Sequence, residues 1–566
     1  MTRRPLTAAT LALALASAGA VGESGPAPAD LVLTGGAVYT VDGARSWAGA
    51  VAVSNGRIVF VGTSEAVKPW IASRTRVVDL SGKMLLPAFH DSHVHPRDGV
   101  GLFECDLTGL TSADAVIGAI RAYAGAHPDA AWIRGEGWEL TLFPDGNPSK
   151  ELLDRIVPDR PVLLYTSDGH SAWVNSRALA IAGITKTTPD PPRGRIERDA
   201  SGEPSGTLRE DATDLVRRHL PKRTAKALEA GQRRAIEIAN SFGLTSLEDA
   251  NVSEDNLEAY AALEASGALT ARISAAIGAD TDKVLADVPR LKELRARYRG
   301  RRFHADAVKI YADGVIETRT AALLEPYVGY GTDRGKTNLD PVDFRALATA
   351  LDRDGFQIHV HAIGDRAVRD TLDALEAARK ANGVRDSRHH IAHLELVDPA
   401  DIPRFRTLGV IANFQPFWAS GDDFITKMTE PQLGPARSRW IYPIASVEAA
   451  GGMTAFGSDW NVSSMNPLDG IEVAITHRES SKGPGPAWLP EERITLPDAI
   501  AGYTIRGAYL DFTEKETGSI EVGKAADLVV LDRNLFEIAP SQIHETRVLW
   551  TLLDGKEVYR AAGFSP

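Results

Sequence analysis

The sequence predicts an α/β fold: a (β/α)8 TIM barrel carrying a small β domain made from both chain ends and an insertion after the first barrel strand. Three observations predict it. The middle of the chain alternates short apolar, strand-like segments with amphipathic ones, the pattern of a parallel sheet wrapped by helices. Eight of the strand-like segments form a series, the number such a barrel needs. Short strands recur at both termini, and 566 residues exceed one compact core.

Residues 1–20 stand apart. Arg3-Arg4 precede an almost wholly apolar stretch, Leu6 to Ala16, followed by Ser17-Ala18-Gly19-Ala20. A basic start, a short apolar run and small residues make a signal peptide, with cleavage expected after Ala18 or Ala20. The run is too short to span a bilayer as a mature helix, so no membrane span is expected once it is removed. The expected location is periplasmic or secreted. Thr2-Arg3-Arg4-Pro5-Leu6 partly matches a twin-arginine signal, which leaves the export route open.

After a Gly/Pro/Ala linker, residues 31–40 and 50–62 read as strands, with Asn55-Gly56 as a hairpin turn. Residues 526–532 and 548–559 repeat that style. We read 30–84 with 514–562 as one β domain; a separate cap at each end is the alternative. Residues 85–101 with 221–513 form the barrel. Its strands are the one ending at His95, then 245–248, 272–276, 307–311, 357–361, 390–394, 410–414 and 454–459. Apolar segments 131–135 and 162–165 have no place in that ring, which makes 102–220 an insertion, with Pro189 to Gly194 as irregular loop.

The 43% hydrophobic and 24% charged residues are those of an ordinary globular protein. A formal charge of −12 argues against nucleic acid or an anionic membrane as partner, and leaves a small-molecule substrate as the better expectation. The sole cysteine, Cys105, excludes an intrachain disulfide and a thiolate cluster, so any metal here must use nitrogen and oxygen ligands.

The chemistry centres on Leu85-Leu86-Pro87-Ala88-Phe89-His90-Asp91-Ser92-His93-Val94-His95. Period-two alternation puts His93 and His95 on one strand face, where two imidazoles can grip one divalent ion, zinc first among them. Further candidates fall at other strand ends: Lys309, His361, His393 and Asp459. In a barrel these ends converge on one mouth, so an ordered set of six is far more informative than any one buried histidine. The same alternation makes His359 a rival to His361 and His389 a rival to His393, and turns His390 the other way. His170 and Asn175, in the insertion, read as substrate contacts from a lid over the mouth. Trp173 reads as lid core rather than a stacking wall. Asp313 either orients Lys309 or turns the chain.

Those residues carry a resemblance. Leu86 to His95, Asp168-Gly169-His170-Ser171-Ala172-Trp173-Val174-Asn175-Ser176, Val308 to Gly314, His361 to Ala367, Arg388 to His393, Gly457-Ser458-Asp459 and Gly518 to Leu528 together resemble the amidohydrolase superfamily. The similarity is to its amidohydrolase-3, YtcJ-like branch, which includes N-substituted formamide deformylases. It implies the barrel plus a β-sandwich built from both termini, with His93, His95, His361, His393 and Asp459 around one or two divalent ions. Lys309 matches the lysine that is carboxylated and bridges two metals in binuclear members; an unmodified ammonium has no lone pair to offer. Ala392 stands where relatives often place an acid, which leaves the ligand intact but alters its surroundings.

The expected function is a metal-dependent hydrolase of carbon–nitrogen bonds other than peptide bonds, with an N-acyl or N-formyl amide as model substrate. Metal-activated water is the nucleophile, and Asp459 is at once ligand and catalytic base. A deaminase or cyclic-amide or lactone hydrolase on the same barrel is the second reading. A ligand-binding or regulatory protein with a residual metal site is the third. Substrate, metal identity and a homo-oligomeric state are left open by the sequence.

Overall fold

The computed structural model describes residues 26–483 and 485–566. The proposed signal segment, 1–20, lies outside the described residues. The strands of the central sheet are β1 (Phe89–Val94), β2 (Leu244–Val252), β3 (Arg272–Gly278), β4 (Phe303–Tyr311), β5 (Gln357–Ala362), β6 (His390–His393), β7 (Ile411–Phe414) and β8 (Met453–Phe456). They pair parallel in chain order, the eight-stranded arrangement expected from the sequence. The ring joins up at its mouth just past β8, where Asp459 N donates to His93 O and His95 N to Trp460 O, both at 2.7 Å. Gly457 makes that approach possible: a Cβ there would lie 2.5 Å from His93 N.

Helices return the chain between strands, and two of them start at caps that the sequence supplies. Thr224 caps Ala225–Ser241 by accepting from Ala227 N, and Asp340 caps Pro341–Arg353, with proline in the first turn. Their apolar stripes, such as Ile236 and Ala239 or Phe344, Leu347 and Leu351, join the barrel strands in one continuous buried core.

The two chain ends meet in a second sheet of eight strands. Met84–Pro87 runs antiparallel to Leu528–Leu531 and parallel to Leu31–Tyr39, so the last strand before the barrel is held between N-terminal and C-terminal segments. Asn55 and Gly56 both take positive φ, 50° and 75°, as a tight hairpin requires. Alternating residues feed two apolar clusters: Leu31, Leu33, Val51 and Val53 in one, Val32, Ala50 and Ala52 in the other.

The segments without a place in the ring build a third sheet. Its strands run in the order Gly194–Arg198, Pro204–Glu210, Ser171–Val174, Val162–Thr166, Ile133–Trp138, Cys105–Asp106. Trp173 is wholly buried beside Trp138 and Phe143, and its indole N–H donates to Ser149 O. Arg209 pins the sheet from within, bonding Ser171 Oγ, Gly146 O, Asn147 Oδ1 and Glu197 Oε1.

Candidate active site

Strand alternation builds the site from below. In β1 His93 faces the barrel axis, and the chain beyond it carries His95 to the same side; the two rings meet edge to face at 5.3 Å. Asp459 arrives from the turn after β8 with φ at 53°, a left-handed conformation costly for a residue with a Cβ. There its Oδ1 lies 2.9 Å from His95 Nε2 and 3.3 Å from His93 Nε2. Lys309, from β4, brings Nζ to 3.4 Å from His93 Nε2. His393 stands against both neighbours, its ring 4.6 Å from His93 and 4.5 Å from His361, and its Nδ1 meets Gln415 Oε1 at 2.9 Å. The six strand-end residues are therefore brought into one buried cluster.

His361 sits at the edge of that cluster. Its Nε2 is 3.2 Å from Gly314 O, whereas His93, His393 and Asp459 form the group whose ligand atoms all lie within 4.8 Å of one another. The electrostatics favour lone pairs over protons. Burial and then the Lys309 charge push the His93 imidazole down to about 3. His361 and His393 are also driven well below the usual histidine range, by burial first. Burial pushes Asp459 up, but the His93 and His95 rings more than reverse it and hold its carboxyl well below the usual range. Burial, opposed in part by Asp459 and Glu248, pushes the Lys309 ammonium down to about 7.

The donor set fits a divalent cation. Asp459 Oδ1 is buried and accepts no hydrogen bond, although two imidazole nitrogens lie within 3.3 Å of it. Imidazole nitrogens and a carboxylate oxygen gathered this closely are an arrangement that a divalent cation would complete, and nitrogen and oxygen donors at this spacing suit zinc.

Three readings from alternation are corrected by the geometry. His359 is not a rival ligand: its Nε2 bonds His93 Nδ1 at 2.8 Å and its Nδ1 bonds Glu248 Oε1 at 2.9 Å, one level below the cluster. His389 points out of the barrel, where Ile358 N donates to its Nδ1 and Asp352 Oδ1 lies 3.0 Å from its Nε2. His390 points in, with Nε2 3.2 Å from Glu248 Oε1. For His389 and His390 the cause is His393, whose φ of 79° breaks that strand's parity, so counting back from it by twos selects the wrong face.

The lid residues part company. His170 reaches the mouth: its ring is 5.4 Å from His361, and Glu210 Oε2, 2.9 Å from Nδ1, overcomes the effect of burial and raises the imidazole to about 9. Asn175 does not reach it, which corrects the expected substrate contact. It caps Ser176–Ala182 by accepting from Ala178 N, accepts also from Val162 N, and donates to Val157 O and Arg160 O. Its amide is consumed by the backbone. Asp313 turns the chain: its carboxylate accepts from Ala322 N, Ile363 N and Gly364 N. Sequence reasoning missed Asp91, which accepts from His93 N and Ser458 N, together with Gln415 and Glu248. The adjacent acids Glu248-Asp249, closing the strand-like segment 245–248, were the available signal for Glu248.

A parallel barrel with histidines and an acid gathered at its strand ends defines the class of barrel hydrolases that act through bound metal. The family model described as "Amidohydrolase family" matches residues 76–559, and the chain belongs to that family. The chain is 32% identical to the putative amidohydrolase YtcJ of Bacillus subtilis over 93% of this chain and 98% of that protein. It is 30% identical to the N-substituted formamide deformylase of Arthrobacter pascens, over 94% and 99%. Among solved structures, an uncharacterized metal-dependent hydrolase from Pyrococcus furiosus superposes with a TM-score of 0.69 at 26% identity, covering 90% of this chain and 99% of that one.

Proposed function

We propose that the protein hydrolyses carbon–nitrogen bonds other than peptide bonds, with N-acyl and N-formyl amides as the substrate class. The observation that carries this reading is the orphaned Asp459 Oδ1 between His93 and His95 at the barrel mouth. His93, His95, His361, His393 and Asp459 would hold one or two divalent ions, zinc first. Lys309, partly the free amine near neutral pH, is the group that carbon dioxide would carboxylate to bridge a second ion. The similarity to a formamide deformylase supports the substrate class.

A bound divalent cation lowers the pKa of coordinated water toward about 7 and polarises a carbonyl. Asp459 takes the proton of the attacking water and delivers it to the leaving nitrogen, so that the amine departs neutral rather than as an amide anion. Gln415 and Asp91 hold His393 and the His93 backbone in place. His170, kept protonated by Glu210, faces the substrate's oxygen from the lid and stabilises the charge that builds there. Trp418 lies nearly parallel to the His393 ring at 5.6 Å and offers an apolar wall to the substrate. The N-terminal segment supports a periplasmic or secreted location, which cell fractionation tests.

The test is a zinc-loaded preparation, purified without residues 1–20, assayed against N-formyl amines, N-acyl amides, esters, lactams and nucleobases. Release of formate or carboxylate with free amine is the expected result. Tight binding with no turnover of any member replaces this reading with a ligand-binding one.

A further inference from the structure

Beneath the candidate metal cluster lies a second group of ionisable side chains to which the proposed reaction assigns no part: Glu248 from β2, His359 from β5 and His390 from β6, all wholly buried. They touch the upper cluster at one point. His359 Nε2 meets His93 Nδ1 at 2.8 Å, and on its far side His359 Nδ1 meets Glu248 Oε1 at 2.9 Å. His390 Nε2 lies 3.2 Å from that same oxygen, and the His359 and His390 rings are 4.1 Å apart.

The direction of the protons follows from chemistry. His93 turns Nε2 toward Asp459 and Lys309, so a cation held there takes the Nε2 lone pair and leaves the proton on Nδ1. That N–H can only donate to His359 Nε2. His359, with Nε2 accepting, carries its own proton on Nδ1 and donates it to Glu248. Glu248 Oε1 accepts that hydrogen bond, most strongly as a carboxylate, since a neutral acid could accept at Oε1 only by carrying its proton on Oε2. Reversing any one link places a proton on His93 Nε2, where a metal would sit.

We propose that Glu248 and His359 form a buried donor chain that fixes the tautomer of His93 and strengthens it as a metal ligand, in place of the single carboxylate or carbonyl that more often backs a metal-binding histidine. Both are positioning residues, since neither reaches the mouth. The inference rests on His93 being a metal ligand.

Zinc affinity, measured by competition with a chromophoric chelator on the full chain, tests it. Glu248→Gln keeps an acceptor for His359 but removes the charge, and His359→Gln breaks the chain. Each is expected to bind zinc about 10- to 100-fold more weakly, and the double variant no more weakly than the worse single one, because the pair acts as one unit. Affinity within about twofold of the wild type in both single variants, with unchanged circular dichroism, overturns the inference. So do losses that add as independent sites do. Neutron diffraction from zinc-loaded wild-type crystals needs no variant: protons on Nδ1 of both His93 and His359 are expected, and a proton on His359 Nε2 overturns the chain. A wild type that takes up no zinc removes the metal reading itself and this inference with it; zinc uptake with unaltered affinity in the variants removes this inference alone.

Discussion

The inner mouth and the outer wall of the barrel both pair histidine with carboxylate, and they use the pairing differently. On the outer wall His389 meets Asp352, whose two oxygens also receive Asn382 and Arg385. Every oxygen there has a donor. Burial raises the Asp352 carboxyl, and the His389, Asn382 and Arg385 hydrogen bonds outweigh it and hold the acid far below its usual range. At the mouth Asp459 lies as close to His93 and His95, yet its Oδ1 is left without a donor. The wall pair is complete as it stands and locks a helix to a strand. The mouth pair is completed only by something positive from outside. Proximity of histidine and acid therefore does not by itself mark a site; at this mouth the mark is an unfilled oxygen where three barrel strands deliver imidazoles together.

Substitutions can break this contrast, the largest effect first. Asp459→Asn is expected to lower kcat by about 1,000-fold, within the range general acid–base groups contribute, while leaving the folded state intact by circular dichroism. Chelation of metal followed by zinc readdition is expected to abolish and then restore activity in the wild type; a preparation that stays fully active in chelator contradicts the site. On the wall the expectation is inverted. Asp352→Ala strips the donors His389, Arg385 and Asn382 of their acceptor and is expected to cost about 3 kcal/mol in denaturant unfolding, with kcat/KM of the folded fraction unchanged.

His170 sharpens the comparison because it borders both kinds of role. Its folded pKa of about 9 lies above the ordinary 6.5, so its pairing with Glu210 contributes stability fully below about pH 6.5 and loses it as pH rises through about 9. The alkaline limb of kcat should follow the same window. His170→Gln is expected to reduce kcat by about 10- to 100-fold and to remove that limb. Asn175→Ala, five residues on, is expected to cost about 1–3 kcal/mol of stability with no change in KM, as befits an amide spent on the backbone.

The barrel was legible because strand-like segments alternate with amphipathic helical ones along the chain, and all eight expected segments lie within or beside observed strands. The strand-end ligands were legible for the same reason, since parallel strands must deliver their ends to one rim. Parity was not legible at β6. His393 and Leu394 both take positive φ, and no pattern in Arg388 to His393 announces a left-handed turn there. Asn175 was misassigned although its signal was present: Asn175-Ser176-Arg177-Ala178 is a helix start, and an asparagine at such a position spends its carbonyl on the second or third N–H of the helix. Glu248 is not legible as part of the site because the histidines beside it, His359 and His390, lie more than a hundred residues further along the chain.

One consequence follows from the strand Met84–Pro87, which hands the chain through Ala88 directly to β1 and its histidines. Its antiparallel neighbour Leu528–Leu531 emerges from the ribosome some hundreds of residues later. Until then the segment that leads into the chemistry has an open edge, and contacts so distant in sequence are slow to form. A chain cut short before residue 528 is expected to aggregate through that edge rather than survive as a weakly active fragment, so the last strands act as a checkpoint on finished synthesis.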